Sequence, residues 1–253
     1  MNGPSAPPEG SRSTSGRVAP TEAAHPFDQH ADVYDAELNQ ALSLTGETKE
    51  YFATQRVKWL ARCLRRLQEQ PRSAMDFGCG IGDTCVLLRQ AFNLDTVLGL
   101  DVSCRSLEVA GQKHASAHCS FLEFQNYVPQ AAIDLVYCNG VFHHIPVAER
   151  EESVDYIRRS LRPDGLLAFW ENNPWNPGTR YVMSKLAFDG DANTLTPPEA
   201  LRLLRRGGFE IISLHYRFIF PRFLKWFRFV EPCASRLPLG AQYQILCRKP
   251  LQC

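Results

Sequence analysis

The sequence predicts an α/β fold: a doubly wound, mostly parallel sheet with helices on both faces. Three observations predict it. Between Ala74 and Trp170, short apolar runs alternate with stretches of helical spacing in the order strand, helix, strand, helix, strand, strand, helix, strand. The first run breaks into alternating glycines, Ala74-Met75-Asp76-Phe77-Gly78-Cys79-Gly80-Ile81-Gly82-Asp83, and leads straight into a helical stretch at Thr84 to Leu88. The second run, Thr96 to Ser103, carries a carboxylate, Asp101, at the strand end where open α/β sheets bind ligands.

Glycines at 78, 80 and 82 suit a loop that needs positive φ and close backbone approach to a ligand. Backbone N–H groups at the start of the following helix then face that ligand. Asp76 and Asp83 bracket the loop with carboxylates, which suit hydroxyls and an amino group and suit a pyrophosphate badly. A dinucleotide site requires G-x-G-x-x-G; here the third glycine position is Asp83 and the spacing is G-x-G-x-G, which argues against an NAD-linked oxidoreductase. Asp101 is suited to a ribose, because a carboxylate accepts two charge-assisted hydroxyl hydrogen bonds. Cys79, inside the loop, either touches the ligand or fills the turn as a small residue.

On these residues the chain resembles the class I S-adenosylmethionine-dependent methyltransferases of small-molecule type, in which an acidic residue precedes the first glycine by two positions, as Asp76 precedes Gly78. Two further motifs follow in order. Ile133 to Cys138 runs into Asn139-Gly140-Val141-Phe142-His143-His144-Ile145, and Leu161-Arg162-Pro163-Asp164-Gly165 resembles the family's turn into a fifth strand. The resemblance covers residues 74–170. It implies a Rossmann-like sheet of seven strands ending in an antiparallel C-terminal strand, S-adenosyl-L-methionine as cofactor, and methyl transfer as the activity. Its cofactor contacts fall on Asp76, Gly78, Cys79, Gly80, Gly82, Asp101, Val102 and Asn139. The family often has an acidic residue after the third strand for the adenine amino group, whereas this chain has Phe124-Gln125-Asn126-Tyr127. Gln125 is the candidate there, since an amide offers a donor and an acceptor. That departure keeps open a second reading, a cofactor-binding protein of the same fold without turnover.

His143 and His144 are the catalytic candidates. Imidazole titrates near neutrality and removes a proton from an attacking hydroxyl, which favours O-methylation of a small or lipid-like acceptor. The alternative is that the pair fills and hydrogen-bonds the loop.

Composition bounds the rest. The chain has 253 residues, 44% hydrophobic content and a formal net charge of +1, enough to bury one sizeable core and without the basic field of a nucleic-acid binder. Nine cysteines without a C-x-x-C pair indicate neither a metal site nor a disulfide framework, and free thiols imply a reducing, cytoplasmic setting. Residues 1–25, rich in Pro, Ser, Gly and Ala, predict a disordered tail with no export signal, and residues 26–253 a single domain. That domain divides into N-terminal helices (26–73), a cofactor-binding core (74–170), and a substrate-covering loop with the C-terminal half of the sheet (171–253).

In the N-terminal part, Phe27, Ala31 and Tyr34 share one helical face and resemble, together with Asp28 and Asp35, the aromatic-acidic lead-in that closes over the family's cofactor; a docking helix is the other reading. Residues 47–69 form a helix with Val57, Leu60, Ala61 and Leu64 inward and Arg56, Lys58, Arg62, Arg65 and Arg66 on a solvated face. Further helices are predicted from Ser103 toward Ala117, from Val147 to Leu161, and from Pro197 to Gly207, with a third strand at Ser120 to Phe124. The loop from Glu171 to Arg180 leaves the fifth strand over the ligand crevice. Glu171, Asn172, Trp175 and Arg180 are therefore substrate candidates, with Tyr34. Strands at Phe209 to Ile219 and Ala241 to Arg248 close the sheet. Between them residues 220–230 interleave aromatic and basic side chains, read either as an interfacial helix making transient membrane contact or as a helix packing into a substrate lid.

Overall fold

The structure, a computed structural model, describes residues 46–185 and 193–251. The predicted tail and the Phe27–Tyr34 lead-in lie outside the described residues. Seven strands, β1 (Ser73–Phe77), β2 (Thr96–Asp101), β3 (Cys119–Glu123), β4 (Ile133–Asn139), β5 (Leu161–Asn172), β6 (Glu210–Arg217) and β7 (Gln242–Arg248), form one sheet in the order β3-β2-β1-β4-β5-β7-β6. The pairs among β1 to β5 are parallel, and β7 runs antiparallel to both of its neighbours. The order reverses between β1 and β4, so the crevice outside their carboxyl ends is the place where such sheets take a ligand.

Helices cover both faces. On one lie α1 (Lys49–Leu67), α2 (Asp83–Phe92) and α3 (Cys104–His114), packing Val57, Leu60, Leu64, Cys85 and Leu88 against Leu135, Tyr137, Ala168 and Trp170. On the other lie α4 (Arg150–Ser160) and α6 (Pro197–Arg206), whose Val154, Ile157 and Leu204 meet Met75, Val136, Phe169 and Tyr243. Each fully buried aliphatic or aromatic side chain contributes about 1.5–3 kcal/mol, so these two layers dominate stability. The helix starts follow local chemistry. The Thr48 hydroxyl accepts from the Tyr51 N–H, Ser103 Oγ accepts from the Ser106 N–H at 3.1 Å, and Thr196 with Glu199 forms a capping box.

Several boundaries differ from the sequence reading. Leu161 to Gly165, read as a turn, belongs to β5, with Asp164 at φ +65° bending the strand. The helix expected from Val147 is a 3₁₀ turn, Val147–Glu149, leading into α4. Within the stretch read as a loop after β5 stands a helix, α5 (Pro177–Met183), because the Asn176 side chain accepts from the Thr179 N–H and Pro177 fits the first turn. Arg222–Val230 is a 3₁₀ segment kinked at Leu224, followed by the short α7 (Glu231–Ala234).

Candidate active site

The loop between β1 and α2 has Gly78 at φ +77° and Gly80 at φ +53°. The N–H groups of Gly78 and Cys79 both donate to the Leu100 carbonyl, at 2.8 and 2.9 Å, which ties the loop to β2. A Cβ on Gly78 would lie 2.4 Å from Val141 Cγ2, so this glycine lets the loops after β1 and β4 pack together. Gly80 has no atom within 4 Å of the same construction and lines open space.

That space is a cavity of about 570 Å³ at the switch point between β1 and β4. Its floor is the glycine loop. One wall carries Asp101 and Val102 from the end of β2, another Asn139, Gly140, Val141 and His144 after β4, and α1 adds Lys49, Ala53 and Arg56. Asp101 accepts from the Gly80 N–H at 2.7 Å and the Ser103 N–H at 3.0 Å. Asp101 lines the cavity, and a carboxylate, an acceptor at both oxygens, suits ribose hydroxyls. Asn139 Oδ1 is buried with no hydrogen-bond partner among the described residues, an acceptor that a ligand ammonium would satisfy. The open space at Gly80, the acceptor capacity of Asp101 and the orphaned Asn139 Oδ1 fit an amino-acid nucleoside.

Charge is concentrated around this cavity. Asp76 is 3% exposed, and burial pushes its carboxyl up to about 8, with the Asp101 charge adding to the rise and the Cys85 thiol and Arg56 opposing it. Asp83 takes the opposite course: burial raises it, but Lys49 Nζ at 3.0 Å and His114 Nε2 at 2.9 Å outweigh that and hold it below the ordinary carboxylate value. The Lys49–Asp83 pair also joins α1 to α2 beside the glycine loop.

Of the two histidines, His144 lines the cavity. His143 is buried, its Nδ1 2.7 Å from Glu171 Oε2, and its ring centroid stands 4.0 Å from that of His144. Burial pushes Glu171 up, yet the charge and hydrogen bond of His143 and the Phe142 and Asn172 N–H groups outweigh it and keep Glu171 low. An ionised Glu171 accepts, so His143 Nδ1 donates and the ring orientation is set.

Asp76, Gly78, Cys79, Gly80, Asp101, Val102, Asn139 and His144 therefore meet at one cavity. Gly82 lies outside its lining, against Phe121, and Gln125 donates to Glu123 Oε2 at 2.8 Å instead of facing the cavity, which Phe124 lines. Glu171, Asn172, Trp175 and Arg180 are likewise absent from the lining: Glu171 is buried on His143, and Asn172 Oδ1 accepts from Gln242 Nε2 at 3.0 Å. Tyr34 lies outside the described residues. The sequence reading missed Arg56, which is buried rather than solvated and donates to the Tyr137 hydroxyl at 3.1 Å and Gln242 Oε1 at 3.0 Å. The signal was present, since Ala53, Arg56, Leu60 and Cys63 follow one helical stripe.

Fold and site together define a doubly wound α/β protein with a cavity at its switch point suited to a nucleoside. Residues 75–167 match the family described as "Methyltransferase domain". Trans-aconitate 2-methyltransferase of Escherichia coli is 28% identical over 142 residues, 55% of each chain, so this chain matches about half the length of that relative. A structure of an S-adenosylmethionine-dependent methyltransferase from Mesorhizobium loti aligns with TM-score 0.55 and 20% identity, covering 76% of this chain and 97% of the other. The 4+2 cyclase SpnF aligns with TM-score 0.63 and 16% identity, covering 90% and 98%. Residues 75–167 thus match a methyltransferase domain, and the chain shares the fold of S-adenosylmethionine-dependent methyltransferases.

Proposed function

We propose that the protein binds S-adenosyl-L-methionine and methylates a hydroxyl oxygen of a small or lipid-like acceptor, with His144 as general base. The observation that carries this reading is a single cavity that joins the glycine loop, Asp101 and Asn139 to the His144 side chain. The cofactor, when bound, supplies a methyl already activated on its sulfonium. The chain's own part is to hold and align. Asp101 accepts from the ribose hydroxyls, Asn139 Oδ1 and Asp76 take the ammonium, Phe124 offers a stacking face to the base, and His144 accepts the proton of the attacking hydroxyl. The buried His143–Glu171 pair packs against His144 and keeps its ring in place.

The curated relative is named for an acid. The cavity here sets four carboxylates, Asp83, Asp101, Glu149 and Glu152, besides Asp76, which burial keeps protonated at neutral pH, against two cations, Lys49 and Arg56, and Lys49 is already paired with Asp83. That balance repels a polyanionic acceptor and supports an alcohol or phenol, the class that needs a base. Because a cyclase shares the fold, the fold leaves methyl transfer undecided, and a cofactor-binding protein without turnover is the second reading, favoured by the placement of Gln125 on Glu123.

Calorimetric titration with S-adenosylhomocysteine tests the binding step: saturable binding is expected, weakened at least tenfold by Asp101→Ala, and no binding by the folded protein would sink the proposal. Incubation with methyl-labelled cofactor and fractionated extract then separates the readings. Label appearing in a hydroxyl-bearing compound supports transfer, and cofactor binding without labelled product supports the second reading.

A further inference from the structure

Between β6 and β7 the chain leaves the sheet for residues 218–241, and polar groups hold this excursion down. Glu231, buried, accepts from the Ile219 and Phe220 N–H groups at 3.1 and 3.0 Å and lies 3.5 Å from Arg217. Arg228 donates to Glu47 Oε1 at 2.8 Å and to the Phe220 carbonyl at 3.0 Å, with its guanidinium over the Tyr51 ring. Asn173 and Asn176 donate to the carbonyls of Gly240 and Leu239 at 2.8 and 2.7 Å. The apolar side chains point the other way: Phe223, Trp226 and Phe229 are 74, 77 and 78% exposed, and Phe227, Leu237 and Leu239 are more than half exposed. Large aromatics displayed this openly by a pinned backbone mark an interaction surface rather than core or lid.

Charge identifies the kind of partner. The excursion exposes Arg222, Lys225 and Arg236, while Arg228 is spent on Glu47 and its one acid, Glu231, is buried beneath it. Lys225 Nζ sits 5.4 Å from the Trp226 ring centroid, a cation beside the exposed aromatics. Protein–protein interfaces are depleted in lysine, and their cores in charge. Tryptophan and phenylalanine interleaved with lysine and arginine are instead the pattern of segments lying in a bilayer headgroup region. The excursion also abuts Glu47 and Tyr51 at the start of α1, the helix whose Lys49 lines the cavity. Among the described residues no helix is long and apolar enough to cross a membrane.

We propose that residues 222–239 dock the protein reversibly on an anionic lipid surface, seating the aromatics at headgroup depth. Each cation near such a surface strengthens binding about fivefold, and the attachment weakens as salt rises.

The test is co-sedimentation of the full chain with vesicles of phosphatidylcholine mixed with phosphatidylglycerol, against vesicles of phosphatidylcholine alone. The mixed vesicles are expected to bring the protein down and the neutral ones far less. Lys225→Glu, a change of two charges, should weaken attachment by about 25-fold. The double variant Trp226→Ser with Phe229→Ser should abolish it, while S-adenosylhomocysteine affinity and melting temperature stay at wild-type values. Equal sedimentation with and without vesicles overturns the proposal, as does vesicle binding that neither variant changes. Concentration-dependent self-association that the double variant removes, without vesicle binding, also overturns it and makes the patch a contact between copies of the chain.

Discussion

Asp76 couples burial, pH and binding in one carboxyl, since burial first and the Asp101 charge second lift it from an ordinary 3.8 to about 8 against the Cys85 thiol and Arg56. Between those values the folded protein holds a proton that the unfolded chain has released. The stability from this site is therefore complete below about pH 4 and is lost as pH rises through about 8, a change of a few kcal/mol. Asp76→Asn is expected to melt like wild type near pH 4 and above it at pH 9; parallel pH profiles for the two proteins would contradict the shift. In the proposed binding mode the cofactor ammonium meets the ionised carboxylate, so binding at neutral pH should release a proton, visible as calorimetric heats that follow the buffer's ionisation heat. The two histidines separate in the same way. His144→Ala should leave S-adenosylhomocysteine affinity intact and lower turnover by about 10²–10⁴. His143→Ala strands a buried Glu171 charge and should cost about 3–5 kcal/mol of stability, so loss of turnover without loss of stability in that variant would reverse the assignment.

At the scale of elements, the glycine loop was legible because its determinants are adjacent in sequence: an apolar strand, three glycines and a helix start. Its first two glycines nevertheless serve different ends. Gly78→Ala forces a methyl onto Val141 in addition to the left-handed backbone cost of about 1–2 kcal/mol, and should unfold or severely destabilise the protein. Gly80→Ala meets no atom, so only that backbone cost applies and the variant should fold while its methyl obstructs the cavity. Thermal melts with S-adenosylhomocysteine titrations check the pair, and a Gly80→Ala protein that binds normally would mean the loop does not cradle the ligand. Where the sequence misled, the partners were distant. Arg56 is buried because Tyr137 and Gln242, 81 and 186 residues away, supply its acceptors. The loop after β5 forms α5 and docks through Asn173, Asn176 and Thr179 onto the carbonyls of residues 238–241, contacts that no local pattern announces.

For the whole molecule, alternation of apolar runs and helical stripes was enough to order β1 to β5, whereas the pairing of β7 between β5 and β6 came from resemblance and not from any residue pattern. The family match ends at residue 167, inside β5, yet the sheet does not end there. Residues Leu166 to Asn172 pair along their length with β7, and Phe169 and Trp170 are fully buried. Leu195, Leu204, Phe209, Tyr243 and Ile245, all C-terminal to the match, complete the core around Met75, Val136 and Phe169. Each of those five contributes about 1.5–3 kcal/mol, and their sum reaches the entire 5–15 kcal/mol stability of an ordinary domain. A chain ended after Asn172 would also expose the β5 edge for pairing with other copies. It is therefore expected to aggregate or to lack a cooperative melt, although it retains the glycine loop, Asp101, Asn139 and both histidines. Gel filtration and a thermal scan of that truncation decide the point: a monodisperse product that melts cooperatively within a few degrees of the full chain and binds S-adenosylhomocysteine would show that the matched core folds without the C-terminal half of the sheet.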